Sequence, residues 1–470
     1  MAINRTLFLS GALCAVLAMT SAASAESLLD AMSAAYSNNP SLNAARAGVR
    51  ATDERVPQAL AGYRPSISAF IQGTAQWTDG SREPTLKLAK PNPTDTNAYQ
   101  FSYGLQIVQP VYTGGRVANG VKAAEAAVRA AREMLRNTEQ VTLQNAVTVY
   151  MDVIEAQQIL SLRQSNVEFL REQVRAARDR FQVGEGTRTD VSQAEAALAA
   201  ATSAVSVSQA NLLSASASFL EVIGHKPTAL REPGTVRALL PKSVDTAVSV
   251  SVKEHPAILS SINNIDVAAA NVAIAEGALL PTFNITASVE KSYDDLSGSG
   301  ASFDRSESLS GSIMGKLTIP IYQGGSEYSS VREAKETLGQ ARIQADAVRD
   351  QVNTALVSAW GVLESSSAQI GAARAQVDAS QLALEGVIEE QKVGQRTTLD
   401  VLNSQSDLIA AKIQLVSAQR NSVVASYAVL SAMGRLDHDR LGLKVAAYKP
   451  EQHYTQVRDK WFGLRTPDGR

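Results

Sequence analysis

One pattern in the sequence limits the fold more than any other: it occurs twice. Pro110, Tyr112, Gly114 and Gly115 recur as Pro320, Tyr322, Gly324 and Gly325, an offset of 210. Val183, Gly184, Asp190 and Val191 recur as Val393, Gly394, Asp400 and Val401 at the same offset, as does Gly224 at Gly434. Upstream the offset is 216: Asn39 and Pro40 answer to His255 and Pro256, and Pro65 to Pro281. The length difference falls between Pro65 and Pro110, where a loop tolerates it. Punctuating residues held in one register are the mark of an internal duplication.

Each copy contains two stretches of period-two alternation. Ile67, Ala69, Ile71, Ala75 and Trp77 oppose Ser66, Ser68, Gln72, Thr74 and Gln76, with Phe70 as the exception. Tyr99, Phe101, Tyr103, Leu105 and Ile107 oppose Gln100, Ser102 and Gln106. The second copy repeats the pattern with Phe283, Ile285, Ala287 and Val289, then Leu309, Ile313, Leu317 and Ile319. Such runs predict long strands with one apolar and one polar face. Their length suits a tilted crossing of a bilayer, and lipid-out, water-in alternation is the pattern of outer-membrane barrels. A two-layer sheet in a soluble domain is the other reading; the uniform polar face favours a wet lumen. Tyr63, Trp77, Tyr99 and Tyr112 fall near strand ends, where an aromatic girdle sits. The linkers 78–97 and 294–307 are rich in Gly, Ser and Asp and read as exposed loops.

After each Gly-Gly pair a long helix is expected, 116–181 in the first copy, about 100 Å at 1.5 Å per residue. Val167, Leu170, Val174, Ala177 and Phe181 keep heptad spacing. So do Val191, Ala194, Leu198, Ala201, Val205, Ser208, Leu212, Ala215, Phe219 and Val222 beyond the Val183-Gly184 turn. The second copy follows with Val401, Ser404, Leu408, Ala411, Leu415 and Ala418. A period of 3.5 residues specifies supercoiled helix pairs. The helices at 27–61 and 189–223 together match the long helix in length. The result is a rod with the strands at one end and the helical turn at the other.

Residues 1–25 have the form of a secretory signal peptide: Arg5, an apolar run from Leu7 to Met19, and Ala23-Ser24-Ala25. Cys14, the one cysteine, lies inside it, so no disulfide or thiolate site is expected. No later run of 18 uninterrupted apolar residues follows. The net charge of −2 argues against nucleic-acid binding. No phosphate loop, His-Glu-x-x-His or Gly-x-Ser-x-Gly is present, and the four histidines are scattered. Neither enzyme activity nor a cofactor or metal is expected. The expected organisation is a signal peptide at 1–25, a first repeat at 26–223 with its hairpin at 65–111, and a connector at 224–244. A second repeat at 245–435, with its hairpin at 281–321, and a tail at 436–470 follow. The tail has no evident role.

Four strands per chain leave open edges, which lipid does not tolerate, so chains must associate. An eight-stranded barrel is filled by side chains and a larger one leaves a lumen; these rules do not choose between three chains and four. The Pro-x-Tyr-x-Gly-Gly after the strands, the Val-Gly…Thr-x-x-Asp-Val turns and the duplicated layout resemble the TolC family of outer-membrane efflux proteins, over nearly all of 26–435. The resemblance implies a mixed, mainly α fold. It is a trimeric duct whose twelve-stranded outer-membrane β-barrel, four strands per chain, continues into a periplasmic α-helical barrel of long coiled-coil helices. It implies a passive exit duct for drugs, toxic small molecules and in some systems proteins. The partners implied are a periplasmic adaptor and an inner-membrane transporter of RND, ABC or MFS type. It also implies a constriction at the second helical turn, where Gln391, Arg396, Asp400 and Asn403 stand. Asp400 matches an acidic ring that would favour cations, and Arg396 matches an arginine of the closing network. Asn403 and Gln391 depart from the aspartate and tyrosine found there. Asp400 as a plain helix cap is the other reading. Val183, Gly184, Val393 and Gly394 would receive the adaptor's hairpin tips. A soluble periplasmic adaptor or scaffold is the alternative function.

Overall fold

The computed structural model describes residues 25–82, 92–93, 96–298 and 301–469. The segment read as a signal peptide lies outside them except for Ala25, as does much of the 78–97 linker. The chain runs α1 (Leu28–Asn38), α2 (Pro40–Asp53), α3 (Arg55–Leu60), β1 (Ser66–Thr78), β2 (Ser81–Arg82), β3 (Asn92–Pro93), β4 (Thr96–Tyr112), α4 (Arg116–Gln182) and α5 (Arg188–Ile223). It continues with α6 (Val244–Glu254), α7 (Pro256–Gly277), β5 (Thr282–Gly298), β6 (Ala301–Thr318), α8 (Ser326–Lys392), α9 (Thr398–Ala432) and α10 (Pro450–Val457).

The two long helices have equal length, 67 residues each. Heptad residues meet as expected: Val167, Leu170, Val174 and Ala177 of α4 pack with Ala194 and Ala201 of α5. In the second copy Leu384 of α8 packs with Val401 and Leu408 of α9. Small side chains in these seams let the backbones approach. Helix α9 also lies against α4: Arg420 Nη2 pairs with Asp152 Oδ1 at 2.6 Å, and the buried Gln405 Nε2 donates to Asn166 Oδ1 at 2.8 Å. By length and mean hydropathy alone, Arg188–Ile223 (1.2) and Val244–Gly277 (1.3) could cross a membrane. Their hydropathy comes largely from alanine, valine and isoleucine on helices that pack beside α4 and α8.

The helix expected at 27–61 is instead three helices. Asn39 is extended (φ −61°, ψ 123°) because the following Pro40 disfavours the helical region for it. Its side chain then caps α2, accepting from Ser41 and Leu42 N–H at 3.0 and 3.2 Å. The second copy breaks at the same place: His255 precedes Pro256, and its Nδ1 accepts from Ala257 N–H at 3.2 Å. The end of α5 meets this break in the first copy, where Asn39 Nδ2 donates to Val222 O at 3.1 Å. The expected end-to-end stacking is therefore present, with a capped joint.

Strands β1, β4, β5 and β6 form one antiparallel sheet in that order. The two hairpins share one register. Ser66 faces Val108 and Thr282 faces Thr318, which are the same pair displaced by 216 and 210 residues. The 294–307 segment, expected as loop, is mostly strand: β5 and β6 remain paired out to Gly298 and Ala301. The ladder carries on because its charges are matched across strands, Lys291 with Glu307 and Arg305 with Asp295 (3.1 Å). Phe70, the exception in the alternation, lies on the polar face opposite Gly104, where a Cβ would come within 2.9 Å of the ring. Residues 319–321 are outside β6, whereas the equivalent 109–111 belong to β4. Strand β4 is paired on both sides and β6 on one.

The tail, without a reading from sequence, is a strap. Leu436, Leu443 and Val457 are buried. His438 stacks near Tyr36, with centroids 4.9 Å apart. Tyr448 N–H donates to Tyr36 Oη at 3.1 Å, and His453 Nδ1 lies 3.0 Å from Asp53. The contacts advance along α1 and α2 towards β1.

Candidate functional site

Among the described residues nothing packs on either face of the sheet. Its apolar face carries Ile67, Ile71, Leu105, Val289, Leu309, Ile313 and Leu317 in the open; Ile71 is 77% and Ile313 83% exposed. The run from Ile67 to Trp77 measures about 34 Å at about 3.4 Å per residue, or about 25 Å of height at the usual barrel tilt. Trp77 and Tyr99 mark the loop end of this band, and Tyr63 and Tyr112 the helix end, all exposed. Phe101, Tyr103 and Tyr293 cluster between them with ring centres 6.2–6.5 Å apart. The matched charges Asp295 and Arg305 lie level with Tyr99, towards the loops. The opposite face is polar, with serine pairs bonded across β5 and β6: Ser288 with Ser312 at 2.9 Å and Ser292 with Ser308 at 2.8 Å. A soluble sandwich would bury the apolar face, at a gain of about 25 cal/mol per Å². Here nothing among the described residues covers it.

At the other end stand the two helical turns. Gly184 (φ +79°) and Gly394 (φ +76°) take a left-handed conformation that other residues adopt at a cost. That geometry lets Glu185 N–H donate to Arg180 O, and Gln395 N–H to Glu390 O, each at 2.9 Å. The preceding valines are displayed: Val183 is 72% and Val393 70% exposed. Each following helix opens with a reciprocal cap. Thr187 N–H donates to Asp190 Oδ2 at 3.0 Å and Asp190 N–H to Thr187 Oγ1 at 3.2 Å. Thr397 and Asp400 do the same at 2.9 and 3.3 Å. The Thr397 amide and hydroxyl, then the Arg396 charge, hold the Asp400 carboxyl below its ordinary range. Capping thus accounts for one oxygen of Asp400, and its twin Asp190 makes the same cap at the first turn.

What differs between the turns is their flanks. Arg396 stands where the first turn has Gly186, and its Nε donates to Glu390 Oε2 at 2.8 Å. Gln391 Nε2 donates to Thr398 Oγ1 at 3.3 Å. Asn403 is exposed on the next turn of α9. The structure therefore brings Arg396, Gln391 and Asp400 to one tip, with Arg396 tied to Glu390, a partner sequence reasoning missed. The Thr-x-x-Asp spacing at both turns was the available signal for the caps.

Sequence reasoning also missed Tyr150, fully buried midway along α4. Its hydroxyl lies 2.7 Å from Glu26 O and 2.6 Å from Arg231 O, and accepts from Arg231 N–H at 3.0 Å. Burial pushes its pKa up to about 12. It joins the start of the chain, the connector and the long helix. A lone tyrosine in an aliphatic helix carries no spacing signal.

Comparison with known proteins gives one answer. A family model described as "Outer membrane efflux protein" matches residues 31–225 and 247–435. The chain is 46% identical to the outer membrane efflux protein BepC of Brucella suis biovar 1 (strain 1330), over 96% of this chain and 94% of that protein. It is 26% identical to the outer membrane protein TolC of Escherichia coli (strain K12), over 92% and 87%. Its fold matches the Campylobacter jejuni CmeC outer membrane channel at a TM-score of 0.74 and 16% identity, covering 92% of this chain and 89% of that one.

Proposed function

The chain belongs to the outer membrane efflux protein family, and from that premise we propose that three copies form a passive duct carrying small toxic compounds out of the cell. It is an outer-membrane exit duct of the kind used by tripartite efflux and secretion systems. The observation that carries the reading is the uncovered sheet: an apolar band of membrane height on one face, serine pairs on the other, and two free edges at β1 and β6. Lipid covers the band, water fills the polar side, and neighbouring chains close the edges. Three chains give twelve strands, enough for a lumen.

An inner-membrane pump supplies the energy and a periplasmic adaptor joins the two. The adaptor docks on Val183, Gly184, Val393 and Gly394, the displayed ends of the helical rods. The periplasmic mouth narrows at the second turn. There Asp400 presents its uncommitted oxygen to the pore, with Arg396, Gln391 and Asn403 around it.

Fractionation and a deletion strain test this reading. The expected result is a heat-resistant trimer in the outer membrane and increased sensitivity to dyes and detergents on deletion. Recovery of a soluble monomer in the periplasm would overturn it in favour of a free adaptor or scaffold.

A further inference from the structure

The strap formed by the tail delivers its tip to the base of the sheet. Its contacts descend α4 as they climb α2: His438 with Glu139 (2.8 Å), Glu451 with Arg132 (3.5 Å), then Tyr454 with Glu125 (3.5 Å). The last tie is to Arg64, two residues before β1. Arg64 Nη1 donates to Lys460 O at 3.0 Å, and its guanidinium sits 4.6 Å from the centre of the Trp461 ring. Beyond this clamp Trp461 is 66%, Phe462 90% and Leu464 fully exposed. No other large apolar side chain after Leu399 is exposed among the described residues. Arg458, Lys460 and Arg465 flank the group; Arg458 pairs with Glu125 at 3.6 Å, and the nearby acids in the chain are Asp459 and Asp468.

We infer that Trp461, Phe462 and Leu464 form a membrane anchor that enters the headgroup region of the leaflet around the base of the barrel, with anionic phospholipid as its partner. Two observations select lipid as the occupant. The tip is continuous with the lipid-facing band, because Arg64 places it level with Tyr63 and Tyr112, the helix-side aromatic girdle. Its composition, an aromatic pair and a leucine set among basic side chains, is that of interfacial segments. The anchor holds the strap, and through it α1 and α2, at a set height beneath the membrane. It rests on the reading of the sheet as a lipid-facing barrel.

The chain has three tryptophans, Trp77, Trp360 and Trp461, so the test uses single-tryptophan proteins. The full-length mature protein carrying Trp77→Phe and Trp360→Phe is reconstituted into phosphatidylethanolamine–phosphatidylglycerol vesicles brominated high in the acyl chain. The anchor predicts loss of most Trp461 emission to brominated lipid, protection from iodide, and deeper quenching as phosphatidylglycerol is added. Emission quenched by iodide and not by lipid would place the tip in water and overturn the proposal. Emission shielded from both would place it against a second copy of the chain, which also overturns it. Quenching that ignores phosphatidylglycerol overturns the anionic preference. A companion protein with Trp360→Phe and Trp461→Phe reports Trp77 in the barrel wall. If Trp77 is quenched and Trp461 is not, only the anchor fails; if neither is quenched, the barrel reading fails and the anchor with it.

Discussion

Thr397 and Asp400 cap each other: the Thr397 amide donates to Asp400 Oδ2 at 2.9 Å while the Asp400 amide donates to Thr397 Oγ1 at 3.3 Å. The same pair, Thr187 and Asp190, caps the first turn, so the duplication contains its own control. Asp190→Ala and Asp400→Ala should lower thermal stability alike, since each loses one cap. Only Asp400→Ala should lower cation selectivity in single-channel recordings, because the proposed constriction lies at the second turn. Equal conductance, selectivity and cation block in both variants would leave Asp400 a cap and nothing more. The depressed Asp400 pKa keeps the charge on, so selectivity in the unmodified protein should persist as pH falls to about 5.

For the proposed trimer, the repeat also specifies how neighbouring chains should pair. Within one chain Gly104 of β4 faces Glu290 of β5. Moving that pair by the two offsets sets Met314 of β6 opposite Thr74 of the next chain's β1. Directly opposed residues lie about 5 Å apart and diagonal ones about 7–8 Å, beyond easy disulfide reach. Thr74→Cys with Met314→Cys should give oxidised trimers on non-reducing gels, and Thr74→Cys with Lys316→Cys should give few. The background is clean, since the one cysteine, Cys14, is in the segment expected to be cleaved.

His255 is a pH-sensitive joint. Burial lowers its pKa from 6.5 to about 4. Below 6.5 the unfolded chain takes up a proton that the folded chain refuses. Stability is therefore complete above 6.5 and declines as pH falls towards 4, by on the order of 2–3 kcal/mol. The first copy has Asn39 at the equivalent place, making the same kind of cap. His255→Asn should keep the cap and flatten denaturation midpoints across that window. An unchanged slope would assign the pH dependence elsewhere.

Tyr150→Phe removes the hydroxyl between Glu26, Arg231 and α4. Arg231 N–H retains Glu26 O at 3.1 Å, so the loss falls on the buried carbonyls. The expected cost is about 1–2 kcal/mol in guanidinium unfolding followed by circular dichroism. Proteolysis within the connector should accelerate in parallel. A variant as stable as the parent would show that the hydroxyl only fills space.

The duplication, the strand faces and the long coiled helices were legible because each is periodic. Alternation at two residues and heptads at 3.5 residues report which face must be covered, whatever covers it. Ile67, Ile71 and Ile313 are therefore correctly placed by sequence, and so is the 67-residue length of α4 to within one residue at its end. The breaks at Asn39 and His255 were half legible: the proline was visible, but a helix running to 61 ignored what proline does to the residue before it. The extension of β5 and β6 beyond Asp294 was not legible, because it depends on Lys291 meeting Glu307 and Asp295 meeting Arg305 across strands.

Sequence by itself thus determined a doubled rod with a two-faced sheet at one end, since periodicity is a property of the chain alone. Tertiary structure decided what each singular residue does. Asp400 and Asp190 are the same cap, Arg396 answers to Glu390, Tyr150 ties three segments together, and the tail is a strap reaching Arg64. Those roles arise from contacts between residues up to 412 positions apart, and a single side chain with a distant partner leaves no period to read.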